Sequence, residues 1–304
     1  MMPGPNSYLH RYAVFTSCCT FFLLIAGALV TSNDAGLAVP DWPTSYGSFF
    51  PPMVGGIFYE HGHRMVATFV GVLTIGLAVW LWRAESRPWM RWLGWIALGA
   101  VIAQGLLGAA TVKFLLPPPV SVAHAGLAQS FFCLTVALAL FTGRWWQSEI
   151  SPMRDSGSPP LKTLTVATVA VTFLQLLLGA AFRHNAFGIV PHLVGAAVVL
   201  AMVIVAGRVA RKRVPESRPV RRIGAALHAL VGTQLLLGGA AWWSRIATLE
   251  APQPQPEMIL LTVLHTVLGA LVLAATVLLA LIVWRILEPA VAGEYAAKPE
   301  QAVV

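Results

Sequence analysis

Apolar residues along the chain fall into eight long runs that are separated by short, more polar stretches. The runs cover about 12–31, 62–82, 91–112, 121–141, 161–181, 190–210, 221–242 and 259–284. Each run has about the 20 residues that an α-helix needs to cross a bilayer. Because a lipid-embedded chain must satisfy its backbone hydrogen bonds internally, the runs predict eight transmembrane helices and an all-α integral membrane protein.

The composition supports this prediction and excludes a soluble domain. Of 304 residues, 57% are hydrophobic and only 11% are charged, whereas soluble domains carry about 25% charged residues. The first run is bordered by a single arginine, and no Ala-x-Ala cleavage site closes it. It therefore predicts a retained helix rather than a signal peptide.

Lysine and arginine are divided unequally between the loops. Of the 20 basic residues, the gaps after the first, third, fifth and seventh runs contain four, namely Arg64, Lys113, Arg183 and Arg245. Since cytoplasmic loops are enriched in basic residues, both termini are predicted to be cytoplasmic and the protein to lie in the cell (cytoplasmic) membrane. The net charge of +8 follows from this bias or suits anionic lipid, and it does not indicate nucleic acid.

A motif that recurs near the ends of the odd-numbered runs indicates an internal repeat. It reads Gln104 to Gly108, Gln175 to Gly179 and Gln234 to Gly238, with a weaker version around Gly27. The first four runs thus match the last four, and both halves enter the membrane in the same direction. We predict two parallel-repeat four-helix bundles, residues 1–150 and 151–304, related by an axis along the membrane normal.

Four histidines lie at matching places, in the first turns of the even-numbered runs. They are His63, His124, His192 and His265, and His63 and His192 are 129 residues apart. Ionisable groups inside a membrane usually mark functional sites, and paired imidazoles are axial ligands of haem iron. The pattern predicts one bis-histidine haem site in each half, near the extracytoplasmic side. The motif glutamines could then bond a haem edge or another helix, while the glycines allow close helix approach.

The two halves differ in the loop and in the residue that precede their first histidine. The first outer loop, residues 31–59, is long and rich in Gly, Pro and aromatic residues, which predicts a lid over the first site. Glu60 precedes His63 by three residues, whereas Ile189 precedes His192 by three. The carboxylate indicates proton chemistry in the first half and electron transfer in the second. The alternative is that Glu60 only caps a helix N-terminus.

The four basic residues on the outer side have two possible roles. Arg64, Lys113, Arg183 and Arg245 could pair with the anionic haem propionates, with Arg183 and Arg245 serving the second half. Alternatively, their side chains extend from the helix ends to the interface, as long basic side chains do. The three cysteines lie within runs and show no zinc-ligand spacing, which indicates a packing role.

Three segments together resemble the haem A synthase family. They are GALVTS at residues 27–32, AGLAVPDWP at residues 35–43, and Glu60-x-x-His63-Arg64. The resemblance extends over all eight runs. It implies an oxidoreductase that oxidises the C8 methyl of haem O to a formyl group by successive hydroxylations, in the assembly of cytochrome oxidase.

The resemblance also implies roles for individual residues. His63 and His124 would hold the substrate, haem O, which becomes haem A, and Glu60 would act as acid or base beside it. His192 and His265 would hold haem b as an electron-transfer cofactor. Expected partners are membrane lipid, an unidentified electron donor and the farnesyl transferase that makes haem O.

One departure from the family concerns the first outer loop. Many members carry two cysteines there, at places occupied here by Val39 and Ser45, so a mechanism that requires this thiol pair cannot operate in the chain. The alternative function is a dihaem b-type electron-transfer cytochrome that does not modify haem. That alternative explains the histidines but neither the loop pattern nor the unequal halves.

Overall fold

The protein is seen here as a computed structural model that describes residues 6–155 and 157–288. These residues form eight long helices, one four-residue helix and no named strand. The prediction of an all-α fold with eight apolar helices able to span a membrane is confirmed. The helices are α1 (Ser7–Ser32), α2 (Gly55–Ala84), α3 (Pro88–Lys113), α4 (Pro118–Thr142), α5 (Arg144–Gln147), α6 (Leu161–Arg183), α7 (Val190–Arg213), α8 (Arg218–Ala247) and α9 (Pro256–Ile286).

Local sequence accounts for where several helices begin. The side chain of Asn6 accepts hydrogen bonds from the second and third backbone N–H groups of α1, as an N-cap residue does. Five of the long helices, α3, α4, α7, α8 and α9, carry proline in the first two positions, where its missing N–H costs nothing. Helix α2 begins at Gly55, seven residues before the predicted run, so Glu60 lies inside it.

The long helices contact one another in two closed rings of four. In the first ring, α1 contacts α2, α2 contacts α3, α3 contacts α4, and α4 contacts α1. Helices α6, α7, α8 and α9 contact each other in the same cyclic order, and the rings meet through α1, α4, α6 and α9. The symmetry relating the rings and the domain boundary at residue 150 stay predictions. So does the sidedness of the termini, whose residues 1–5 and 289–304 lie outside the described part.

Packing within each ring is uneven along the helices. The first hydrophobic core contains Leu77, Leu81 and Leu138, and the second contains Val203 and Leu227, all at the membrane depth opposite the four histidines. At the histidine level, the described stretches 98–108 of α3, 190–198 of α7 and 232–247 of α8 contain no buried residue. The first ring along α3, and the second ring along α7 and α8, are therefore less enclosed at the end that carries the histidines.

Candidate functional site

In the first half, each predicted ligand histidine packs against a glycine of the preceding helix. A Cβ atom on Gly27 of α1 would lie 3.1 Å from Cε1 of His63 on α2. On Gly108 of α3, it would lie 3.2 Å from Cε1 of His124 on α4. Only a glycine leaves full room for the imidazole at these two places.

The second half repeats this arrangement more tightly. A Cβ atom on Gly179 would lie 2.8 Å from Cε1 of His192, and one on Gly238 would also lie 2.8 Å from Cε1 of His265. Real Cβ atoms do not approach other atoms so closely without displacing them. The glycine of each repeated motif is therefore a seat for a histidine ring, which is more specific than the close helix approach predicted from sequence.

We expect alanine at Gly238 to loosen a haem held by His265. Forcing one methyl group into a packed site costs about 1–3 kcal/mol, equivalent to roughly 5- to 150-fold in affinity. The matched control is Gly239→Ala, because a Cβ on Gly239 meets no atom within 4 Å. Haem content after dialysis against apomyoglobin measures the effect, and equal retention by both variants would show that Gly238 is not a seat.

The motif glutamines bond to the histidines of the neighbouring helix. Nε2 of Gln104 donates to the backbone carbonyl of His124 at 3.0 Å. Likewise, Nε2 of Gln175 donates to the carbonyl of His192 at 2.8 Å and lies 3.0 Å from Nδ1 of the same ring. The sequence left two possible partners for these glutamines, a haem edge or another helix, and the contacts seen here are with another helix. Such outer contacts orient ligand histidines and tune their basicity.

The rings of His192 and His265 face each other in the second half. Their centroids are 6.2 Å apart with an interplanar angle of 86°. An imidazole nitrogen lies about 2 Å from a bound metal, so two rings on opposite sides of one iron have centroids about 6 Å apart. In addition, Nδ1 of His265 lies 3.2 Å from the backbone carbonyl of Gln234, and Nε2 of the same ring lies 3.5 Å from the Gln234 amide nitrogen.

Buried polar atoms without a hydrogen-bond partner concentrate at the same level. Such atoms are costly in a protein interior unless a ligand or water satisfies them. The described residues contain no cluster of three or more His, Cys, Asp or Glu side chains for a bare metal ion. The unpartnered atoms at this level include Nδ1 of His63 and His124 and Oε1 of Gln104, Gln175 and Gln234. Paired imidazoles in each half are the kind of donor that haem iron takes.

Glu60 and Arg64 join α2 to the first outer loop beside His63. The N-cap of α2 is Val54, without a side-chain cap bond, so Glu60 is not a helix cap. Its buried carboxylate accepts from the backbone N–H of Val39 at 2.8 Å and from Nη2 of Arg64 at 2.5 Å. Nη1 of Arg64 also donates to the carbonyls of Asp41 and Thr44 at 2.7 and 2.9 Å. The loop is thus fixed to the helix that carries the candidate ligand.

A second contact between α2 and the loop involves the two places where many family members have cysteine. Ser45 Oγ lies 2.8 Å from Nδ1 of His61, and both side chains are buried. Val39, the other place, is fully buried and donates its backbone N–H to Glu60. Hydrogen bonds thus hold both positions to α2 without a disulfide. Because His61 precedes His63 by two residues, the two side chains point to different faces of α2, and no feature of the sequence indicated Ser45 as the partner of His61.

Asp41 organises the turn of the loop, which spans residues 33–54 and is shorter than predicted because α2 begins at Gly55. The Asp41 carboxylate accepts from the backbone N–H groups of Tyr46 and Gly47 at 2.6 and 2.9 Å and from the Thr44 hydroxyl at 2.6 Å. Tyr46 and Gly47 both have left-handed φ angles, 53° and 72°, which is costly for tyrosine. The Gly47 N–H, followed by the Thr44 hydroxyl, lowers the pKa of Asp41 to about 2.

This pKa predicts how the loop responds to acid. Because the folded pKa is depressed, the stabilisation by Asp41 is present above the ordinary pKa of about 4 and is lost only as the pH falls towards about 2. We expect the amide protection of Tyr46 and Gly47, corrected for intrinsic exchange, to be constant from pH 7 to 4. Asp41→Ala should abolish it at every pH, with Asp34→Ala as the control. Hydrogen exchange measured by mass spectrometry tests this, and protection lost near pH 5 would contradict it.

The four outward cations occupy different surroundings. Arg64 is bonded to the loop, as described above. Nη2 of Arg183 donates to the carbonyl of Thr31 at 2.5 Å and lies 4.0 Å from Asp34. Lys113 and Arg245 have exposed side chains, and the Arg245 guanidinium lies 5.9 Å from the Phe182 ring centre. Their pairing with propionates stays a prediction.

Comparison with known proteins agrees with this geometry. Residues 54–192 match the model of the COX15-CtaA family, described as cytochrome oxidase assembly protein, and this range includes His63, His124 and His192. The chain is 29% identical over 187 residues to the Heme A synthase of Lysinibacillus sphaericus and 32% identical over 186 residues to that of Symbiobacterium thermophilum. Over these residues the chain is similar to the haem A synthase family.

The similarity to these haem A synthases is partial in length. The match to the Lysinibacillus protein covers 59% of this chain and 59% of the relative, and the match to the Symbiobacterium protein covers 58% and 59%. The chain thus matches about three fifths of the length of these relatives. His265 lies beyond the range of the family model, so its assignment rests on the repeat and on its contact with His192.

Proposed function

We propose that the chain is a haem A synthase that oxidises the C8 methyl group of haem O to a formyl group by successive hydroxylations. Its relatives are named Heme A synthase. The single observation that carries the proposal is the difference between the halves. His63 lies beside the buried Glu60 and under a fixed loop, whereas Ile189 is the corresponding neighbour of His192.

In the first half, His63 and His124 hold the substrate haem within the less enclosed end of the ring. Their glycine seats set where the rings lie, and the Glu60–Arg64 pair holds the outer loop beside His63. A loop in this place limits the entry of water, which strengthens electrostatic interactions in the site. Glu60 holds or moves a proton near the reacting methyl group, and Arg64 or Lys113 neutralises a propionate.

In the second half, His192 and His265 hold haem b, which supplies one-electron transfer when bound. Gln175 and the carbonyl of residue 234 keep the two rings facing each other. Arg183 and Arg245 stand at the outer end as propionate partners. Electrons come from a donor of unknown identity, and haem O comes through the lipid from a farnesyl transferase. We propose the cell membrane as the location, with both sites near its outer side.

Haem extraction after co-expression with a haem O source tests the function. The extracted haems are separated by chromatography and identified by mass, with a His63→Ala, His124→Ala chain as the matched control. Haem A or its hydroxylated precursor should appear only with the intact first-half pair. Haem b alone, with verified haem O left unconverted, would favour a dihaem electron-transfer cytochrome instead.

A further inference from the structure

Three of the four histidine sites share a support that the site of His63 lacks. Four residues before its seat glycine, each of the helices α3, α6 and α8 carries a glutamine. Helix α1 carries Leu23 at the same distance before Gly27. The difference affects only the site of His63. The glutamines are Gln104, Gln175 and Gln234.

The second half shows what this support consists of. Gln175 reaches across from α6 to α7, where its Nε2 donates to the His192 carbonyl at 2.8 Å and lies 3.0 Å from the ring nitrogen Nδ1. The residue at 195 must be small, because a Cβ on Gly195 would overlap Oε1 of Gln175. Gln175 and Gly195 therefore work as a pair: the glycine makes room for the amide that touches the ligand.

The first half carries an apolar pair in the equivalent places. Seat glycines Gly27 and Gly179 align Leu23 with Gln175, and the two ligands His63 and His192 align Val66 with Gly195. Leucine cannot donate a hydrogen bond, so it cannot supply to His63 the bond that Gln104 and Gln175 give to the backbone carbonyls of His124 and His192.

An open apolar groove of about 440 Å³ lies between α1 and α2, and its lining includes Val66. The lining residues are Cys18, Cys19, Phe22, Met65, Val66 and Phe69.

We infer that this pair of positions sets how firmly each half holds its haem. Gln175 and Gly195 fix His192 for a resident haem, whereas Leu23 and Val66 leave His63 supported by its glycine seat without an amide bond, so that it releases iron more readily. The inference rests on the proposed function, in which the first-half haem is a substrate that must enter and leave. Loss of an outer partner of a ligand histidine weakens metal binding by roughly 10- to 100-fold.

Transfer of haem b from the full-length, detergent-purified chain to apomyoglobin tests this directly. With haem b loaded into both sites, we expect a fast and a slow phase, and His63→Ala should remove the fast one. Gln175→Met keeps the side-chain length without the donor. It should accelerate the slow phase by roughly 10- to 100-fold while the low-spin bis-histidine spectrum persists. Transplanting the pair, with Leu23→Gln and Val66→Gly together, should slow the fast phase by a similar factor.

A further variant separates the hydrogen bond from general damage. Gly195→Ala retains Gln175 but displaces its amide, so it should accelerate the slow phase as Gln175→Met does, with Gly188→Ala as a glycine control that meets no neighbour within 4 Å. Unchanged rates in Gln175→Met, Gly195→Ala and the transplant would overturn the inference. A parent that binds only one haem would contradict the proposed function, and the Gln175 variants would still decide the role of the pair. A parent that binds no haem contradicts both.

Discussion

Replacing His192 or His265 by alanine is expected to remove the b-type absorbance of the purified protein. The two rings face each other at a centroid distance of 6.2 Å, and each packs on a glycine that fits no larger residue. In the proposed site both imidazoles hold one haem iron, so losing either would leave a single axial ligand. We expect haem b to fall below a tenth of its parent level, as measured by the reduced pyridine haemochrome assay.

A histidine remote from this level provides the control. His228 lies on α8, bonded through Nδ1 to the Gly224 carbonyl in its own helix, so His228→Ala should retain haem. Full haem in both His192→Ala and His265→Ala would refute the ligand assignment. Loss of haem in His228→Ala as well would point to general destabilisation of the second ring of helices.

The fold could be read from the chain because the membrane imposes a simple rule on it. Apolar runs of about 20 residues become helices, since no other open backbone structure satisfies its hydrogen bonds in lipid. All eight predicted runs lie within the observed helices apart from end differences. The main difference is the start of α2 at Gly55, where the polar EHGHR segment hid the helix from a hydropathy count. That start puts Glu60 on the helix and excludes the cap alternative.

The candidate ligands could also be predicted, because histidines recurring in apolar runs are rare and repeat with the helices. Their immediate contacts could not be predicted. Whether Gly179 approaches another backbone or seats His192 depends on helix rotation and crossing, which a one-dimensional pattern does not contain. The same holds for Gln175, which had two possible partners in the sequence and contacts another helix in the structure.

The contacts of the loops were the hardest feature to predict from the sequence. Arg64 and Arg183 were predicted as propionate partners from their side of the membrane alone. In the structure, both donate to backbone carbonyls, Arg64 to Asp41 and Thr44 and Arg183 to Thr31. Carbonyl groups carry no sequence signal, so such bonds become visible only when the loop is folded. Arg183 also connects the second ring of helices to the end of α1, which a division into two independent halves would not suggest.

Glu60→Gln is expected to abolish conversion of haem O while both haems remain bound. Glutamine has the same shape and can still accept from the Val39 N–H, so the loop should stay in place, but it cannot gain or release a proton at this position. Removing a general acid or base typically lowers the rate by about 10²- to 10⁴-fold. Product haem quantified by mass against total bound haem measures the loss, and it should match that of Glu60→Ala.

Because Glu60 also forms an ion pair with Arg64, its alternative role is to hold the outer loop in place. The variant Arg64→Gln distinguishes this role from proton transfer. This variant releases the loop carbonyls of Asp41 and Thr44 but keeps the carboxylate. If Glu60 serves the chemistry, Arg64→Gln retains more conversion than Glu60→Gln, because the proton-carrying group is still there. If Glu60 serves only to hold the loop, Glu60→Gln retains more conversion than Arg64→Gln. The reason is that Glu60→Gln keeps the hydrogen bond to Val39, whereas Arg64→Gln loses the hydrogen bonds of Arg64 to Asp41, Thr44 and Glu60. The order of activity of the two variants, rather than the size of either loss, therefore decides whether the Glu60 carboxylate serves the chemistry or only holds the loop.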